Sequence, residues 1–144
     1  MQYEVIIAED EELILNNLIQ KVNAHPAFKV IGSAQTGTDA LDLVKEHSPI
    51  LLMTDIRMPV MDGMELLSRV RECYPDMRFI IISGFSDFEY AREALHLKVY
   101  DYLLKPVSLD DIHEVLFGLQ KDLELEKESQ SHISSVHRSQ RSMR

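Results

Sequence analysis

A chain of 144 residues with 45% apolar and 27% charged side chains is long enough for one compact domain that buries roughly two thirds of its unfolded surface. The net charge of −9 is uneven: Lys127, Arg138, Arg141 and Arg144 against Glu128 leave +3 on residues 127–144 and −12 on the first 126, and so acidic a body excludes nucleic-acid binding on its own, because attraction to phosphate dominates that binding. No apolar run has the length of a membrane span, Met1-Gln2-Tyr3-Glu4 offers no basic leader, and the single Cys73 leaves no internal disulfide, so a cytoplasmic chain without membrane contact is expected.

Val5–Ala8 is the first β-branched-rich run, and Leu15, Leu18, Ile19 and Val22 follow at helical spacing. Lys29–Gly32 is the second run, with Ala40, Leu41 and Val44 marking the next helix; Ile50–Thr54 then precedes Leu66, Leu67 and Val70. Phe79–Ser83 leads into Ser86-Asp87-Phe88-Glu89, the pattern of a capping box that opens a fourth helix. The last run, Asp101–Lys105, is followed by the N-cap pattern Ser108-Leu109-Asp110-Asp111 and an apolar stripe at Ile112, Val115, Leu116, Leu119 and Leu123. Gly32, Pro49, Pro59, Gly63, Pro75, Gly84 and Pro106 fall at the junctions. Three of the runs are apolar without alternation, as parallel strands covered on both faces are. The repeat predicts an α/β fold with one five-stranded parallel sheet and five helices on its two faces, and ligands outside the carboxyl ends of the strands. The pattern stops at residue 126, which divides the chain into a domain over 1–126 and a linker or disordered tail over 127–144.

At the carboxyl ends stand Glu9-Asp10, Asp55, Ser83-Gly84 and Lys105-Pro106. Clustered carboxylates persist together when a cation neutralises them or their pKa values rise. Oxygen ligands with room for water suit Mg²⁺, Lys105 supplies a compact charge for a phosphoryl oxygen, and Ser83 a hydrogen bond. A carboxylate nucleophile, Asp55, completes a set suited to phosphoryl transfer by in-line attack. Taken singly, Glu9, Asp10 and Glu11 are as well explained by favouring a helix N-terminus. The joint pattern after four strands is what argues for chemistry.

The runs Ile7-Ala8-Glu9-Asp10-Glu11, Thr54-Asp55-Ile56-Arg57-Met58-Pro59-Val60-Met61-Asp62-Gly63, Ser83-Gly84 and Asp101-Tyr102-Leu103-Leu104-Lys105-Pro106 resemble receiver domains of two-component response regulators, over about residues 3–125. The resemblance implies a flavodoxin-like (βα)5 fold with strand order 2-1-3-4-5. It implies Asp55 as phosphoacceptor, fed by a sensor histidine kinase, and Mg²⁺ held by Asp10, Asp55 and the backbone carbonyl of Arg57, with Glu9 assisting indirectly. Lys105 and Ser83 would contact the phosphate, Ser83 and Tyr102 would form the switch, and the bond before Pro106 would be cis. Such a domain modifies itself and is not a turnover enzyme on external substrates. Ser83-Gly84-Phe85-Ser86-Asp87-Phe88-Glu89-Tyr90-Ala91 followed by Asp101–Val107 resembles the subgroup with a C-terminal AraC-type helix-turn-helix module, so DNA would be reached only through an output domain that this sequence lacks. The chain is then a fragment of a transcription regulator, with a stand-alone receiver as the alternative.

Two positions depart from the family pattern. Glu9 stands where many members have Asp, and Lys98 stands at a bend where Gly is usual, at a steric cost of about 1 kcal/mol if φ is positive there. The expected output surface is the fourth helix, fifth strand and fifth helix (Ala91–Leu97, Tyr102 and Ile112–Leu119), acting through homodimerisation, with Leu123 and Leu125 extending the helix as a dimerising stripe. Gly32-Ser33-Ala34-Gln35-Thr36-Gly37 lacks the Lys of a nucleotide loop, and Arg57 stands where a haloacid-dehalogenase phosphatase needs a second Asp. The six His show no metal-ligand spacing and are expected at the surface, whereas Met53, Met58, Met61 and Met64 are expected to fill core and loop gaps. Phe85, Phe88 and Tyr90 read as packing residues. The rival reading is a pseudo-receiver scaffold that never takes phosphate.

Overall fold

A computed structural model of the chain describes residues 2–84, 86, 87, 89 and 97–142, the stretch 130–142 by its backbone alone. The first strand, β1 (Tyr3–Ala8), alternates its contacts along its length: Val5 and Ile7 enter one core cluster, Ile6 and Ala8 the other. The same division splits Leu51 and Met53 from Leu52 on β3 (Leu51–Asp55), and Ile80 and Ile82 from Phe79 and Ile81 on β4 (Arg78–Ser83). An unbroken apolar run is what a strand needs when both of its faces are covered.

With β2 (Phe28–Ala34) and β5 (Asp101–Leu104), these strands form one parallel sheet in the order β2-β1-β3-β4-β5. The core on one face is closed by α2 (Gly37–His47) and α3 (Gly63–Cys73) through Ala40, Val44, Leu66, Leu67 and Val70. The opposite core is closed by α1 (Glu12–Asn23) and the C-terminal helix α4 (Leu109–Ser142) through Leu15, Leu18, Val22, Ile112, Leu116 and Leu119. Each fully buried aliphatic side chain contributes about 1.5–3 kcal/mol. Met53, Met58 and Met61 lie within these cores.

Caps fix where the helices begin. Thr36 Oγ1 accepts from Asp39 N–H at 3.1 Å, and Asp62 Oδ1 from Glu65 N–H at 2.9 Å. Ser108 Oγ accepts from Asp111 N–H at 3.0 Å, so the fifth amphipathic stretch of the sequence starts where its pattern predicts, as α4. No break falls at residue 126; the backbone of α4 is helical to Ser142. Most of the fourth amphipathic stretch, Phe85, Phe88 and Tyr90 included, lies outside the described residues, among which Ser86, Asp87 and Glu89 are helical. Among the described residues no helix is long and apolar enough to cross a membrane.

Strand register brings the carboxyl ends level. Ala8 pairs with Thr54, Asp55 with Ile82, and Ser83 with Leu104. Residues that follow these positions therefore meet at one edge of the sheet.

The bend before β5 has Lys98 at φ 57°, the left-handed conformation anticipated there. Arg71 holds it: the guanidinium donates to the carbonyls of Leu97 (2.9 Å), Lys98 (3.2 Å), Met77 (2.7 Å), Pro75 (2.9 Å) and Tyr74 (3.3 Å), and stacks 4.0 Å over Phe79. One corrected expectation concerns His25, which is buried rather than superficial. It packs against Phe28 and His113, and its Nδ1 accepts from Ala27 N–H at 3.1 Å.

Candidate functional site

Asp55 ends β3 as a buried carboxylate whose two oxygens are separately engaged. Oδ1 accepts from the N–H of Ile56 at 2.7 Å, and Oδ2 from Lys105 Nζ at 2.9 Å. Lys105 follows β5 directly, tied to β4 by its own N–H donating to Ser83 O at 2.9 Å. Its Nζ also donates to Glu9 Oε1 at 2.5 Å. The peptide bond from Lys105 to Pro106 is cis.

Glu9 is fully buried after β1, with its N–H donating to Ala34 O at 3.0 Å and its Oε2 accepting from Asp10 N–H at 3.1 Å. Burial above all, then hydrogen bonding to Asp55, pushes its carboxyl up to about 8 against the opposing pull of Lys105. For Lys105 burial alone would lower the pKa, but the bonds to Glu9 and Asp55 outweigh it and the group is raised. The oxygens of Glu9, Asp10 and Asp55 approach within 4.8 Å of one another, with Asp10 the exposed member. Three hard oxygen donors with one side open to water are a donor set that fits Mg²⁺.

Ser83 closes β4 with a fully buried hydroxyl that has no hydrogen-bond partner among the described residues. A buried hydroxyl left unsatisfied costs about 1–3 kcal/mol. Tyr102 sits on β5 opposite Ile81, half-buried against the core shared with α2 and α3. Arg57 lies in the loop after β3, its Nε donating to Asp87 Oδ1 at 2.7 Å.

Two contributors were not apparent from residue patterns. Gly63, which the sequence marks as a breaker and as the last residue of the run from Thr54 but with no stated role, donates its N–H to Ile56 O at 2.7 Å, and a Cβ there would come within 2.0 Å of Asp55 O. Its role is to let α3 begin against the backbone of Asp55. Asp87 is the other, and nothing in its spacing from Arg57 signals that the two meet.

A five-stranded parallel sheet whose strand order reverses beside β1 defines a doubly wound α/β fold, and the acidic cluster at its carboxyl edge could hold a metal ion. The response regulator receiver domain model matches residues 5–117, and the chain belongs to that family. It is 38% identical over 140 residues to the transcriptional regulatory protein HptR of Staphylococcus aureus, covering 94% of this chain and 54% of HptR. To the transcriptional regulatory protein YesN of Bacillus subtilis it is 33% identical over 136 residues, covering 91% of this chain and 37% of YesN. The chain thus spans about half, or less, of the length of these curated relatives. Among solved structures it is similar to the REC domain of AraT, a response regulator from Geobacillus stearothermophilus, with a TM-score of 0.83, 36% identity, and coverage of 88% of this chain and 99% of that one.

Proposed function

We propose that Asp55 is the phosphoacceptor of a two-component switch. The observation that carries this reading is the buried Asp55 carboxylate held by Lys105 at 2.9 Å, with Glu9 and Asp10 alongside and the unsatisfied Ser83 hydroxyl on the next strand. An Asp55 oxygen attacks phosphorus, the bond from phosphorus to the donor's leaving group breaks, and an acyl phosphate forms on the side chain. Lys105 and the Ser83 hydroxyl then engage phosphoryl oxygens. Asp10, Asp55 and the Arg57 carbonyl would hold Mg²⁺, with Glu9 behind them. When bound, the ion supplies charge neutralisation for the incoming phosphoryl oxygens.

The donor is the phosphohistidine of a sensor kinase, and the reaction is self-modification without external turnover. Residues 1–126 form the switch unit and 127–144 the connector, in a cytoplasmic protein. Added charge next to Ser83 and Lys105 biases a two-state element that includes Tyr102. The modified form associates with a second copy through the β5 and α4 side of the fold, where Leu104 and Phe117 are exposed. DNA is reached through an output module, a reading supported by the greater length of the relatives and by their names as transcriptional regulators.

Mass spectrometry after incubation with acetyl phosphate and Mg²⁺ tests the proposal. A single phosphoryl adduct is expected, lost in Asp55→Asn and without Mg²⁺. Absence of any adduct, together with no Mg²⁺-dependent binding of beryllofluoride, would instead make the chain a scaffold.

A further inference from the structure

We propose that the ion pair between Arg57 and Asp87 is a latch on the unphosphorylated arrangement of this switch, an inference that rests on the phosphoacceptor reading of Asp55. The pair joins two segments thirty residues apart, at 2.7 Å between Arg57 Nε and Asp87 Oδ1. One is the loop that leaves Asp55. The other is the helical turn after Ser83-Gly84, where Asp87 N–H donates back to Gly84 O at 3.1 Å. A bond between Arg57 and Asp87 therefore ties the phosphoacceptor's loop to the segment that carries the responding hydroxyl.

The burial of the two partners is unequal. The Arg57 side chain is 79% exposed and that of Asp87 only 9%. A buried carboxylate is stable only while a counter-charge stays with it, so Asp87 retains the guanidinium. Phosphorylation acts on both ends of this contact. It places a dianionic group two residues before Arg57, in competition with Asp87 for the same cation. It also offers the unsatisfied Ser83 hydroxyl an acceptor, and the turn that holds Asp87 follows any movement of Ser83-Gly84. The latch thus adds to the free energy that separates the two states, and a ligand that binds one state is weakened by the rarity of that state.

Titration calorimetry of the whole chain with beryllofluoride at saturating Mg²⁺ provides the test, because this probe occupies the phosphoryl position without turnover. Arg57→Gln and Asp87→Asn should each tighten binding about fivefold, and the double variant should bind no tighter than the better single one, because one contact is being removed twice. If Arg57 instead attracts the phosphoryl group directly, Arg57→Gln weakens binding, and the latch is overturned. It is likewise overturned if both variants melt earlier yet bind as the parent does, since the pair is then a structural tie only. Asp87→Asn keeps the side chain's shape and leaves no buried charge, so it carries the test should Arg57→Gln not fold. A parent chain that takes up no beryllofluoride would overturn the phosphoacceptor reading itself, whereas a parent that binds beside unresponsive variants overturns the latch alone.

Discussion

Lys105 Nζ lies 2.9 Å from Asp55 Oδ2 while the other oxygen of that carboxylate accepts from Ile56 N–H at 2.7 Å, so neither oxygen is idle in the unmodified chain. The same ammonium also holds Glu9. It is the positive charge that makes two adjoining buried carboxyl groups tolerable. With its carboxyl pushed up to about 8, Glu9 binds a proton in the folded chain across a range, above 4.5, where an unfolded glutamate has lost it. Its contribution is therefore fully present below about pH 4.5 and is lost as pH rises through 8.

Removing Lys105 should sharpen that dependence. In Lys105→Met without divalent cation, Glu9 and Asp55 face one another with no counter-charge, and a retained proton is their remaining relief. The variant should lose about 2 kcal/mol near pH 9, and distinctly less near pH 6. Urea denaturation in chelator at both pH values checks this. An equal loss at both would mean that Lys105 is not what balances the pair.

Gly63→Ala should be disruptive although its backbone conformation is ordinary for any residue. The new methyl group would meet the carbonyl of Asp55 at 2.0 Å, and neither the start of α3 nor the end of β3 can yield cheaply. A loss of about 3 kcal/mol and impaired acceptance of phosphate are expected by denaturation and by acetyl phosphate labelling. Retention of both would show that the loop between them absorbs the shift.

Val60 and Lys98 occupy left-handed backbone, at φ 71° and 57°, and Val60 is 87% exposed. A side chain at such a position costs about 1–2 kcal/mol relative to glycine. Replacing either by Gly should raise the melting temperature, by the equivalent of about 1 kcal/mol after the greater flexibility of unfolded glycine is counted. The larger gain is expected at the β-branched Val60. A lower melting temperature would mean that contacts of these side chains outweigh the strain.

Arg71 should resist conservative replacement. Its planar fork serves five carbonyls from the end of α3 to the bend before β5, and an ammonium with three donors cannot reach that spread. Arg71→Lys should cost about 2–3 kcal/mol, nearly as much as Arg71→Ala, because the carbonyls of the buried residues Met77 and Leu97 are left without donors. Calorimetric melting of the two variants decides it.

His25 gives a pH dependence of opposite sign to that of Glu9. Burial, then the proximity of His113, holds its pKa below the ordinary 6.5, and Nδ1 is already occupied as the acceptor of the Ala27 N–H. The unfolded chain takes up this proton first as pH falls. The contribution is thus fully present above about pH 6.5 and is lost below it. His25→Asn, which keeps an acceptor, should flatten the difference in stability between about pH 7 and pH 5. An unchanged slope would assign it to other groups.

What the sequence determines by itself follows from short-range regularities. Unbroken apolar runs at Val5–Ala8 and Phe79–Ser83 require cover on two faces, and five repeats of strand and helix admit few topologies. Since every strand points the same way, residues that end them share an edge, which is how Glu9, Asp55 and Lys105 were legible as neighbours. The N-cap at Ser108 was legible for the same local reason. Tertiary structure alone decided the contacts between segments far apart in the chain: Arg57 with Asp87, Arg71 with the bend at Lys98, Gly63 against the Asp55 carbonyl, and His25 beneath His113. Spacing carries no record of these, because each depends on how closely two elements approach after packing. Nor does an end to the apolar stripe at residue 126 end the helix: residues 127–142 contain no Gly or Pro to break it, and continuing a helix already nucleated on the sheet needs only one added bond per residue.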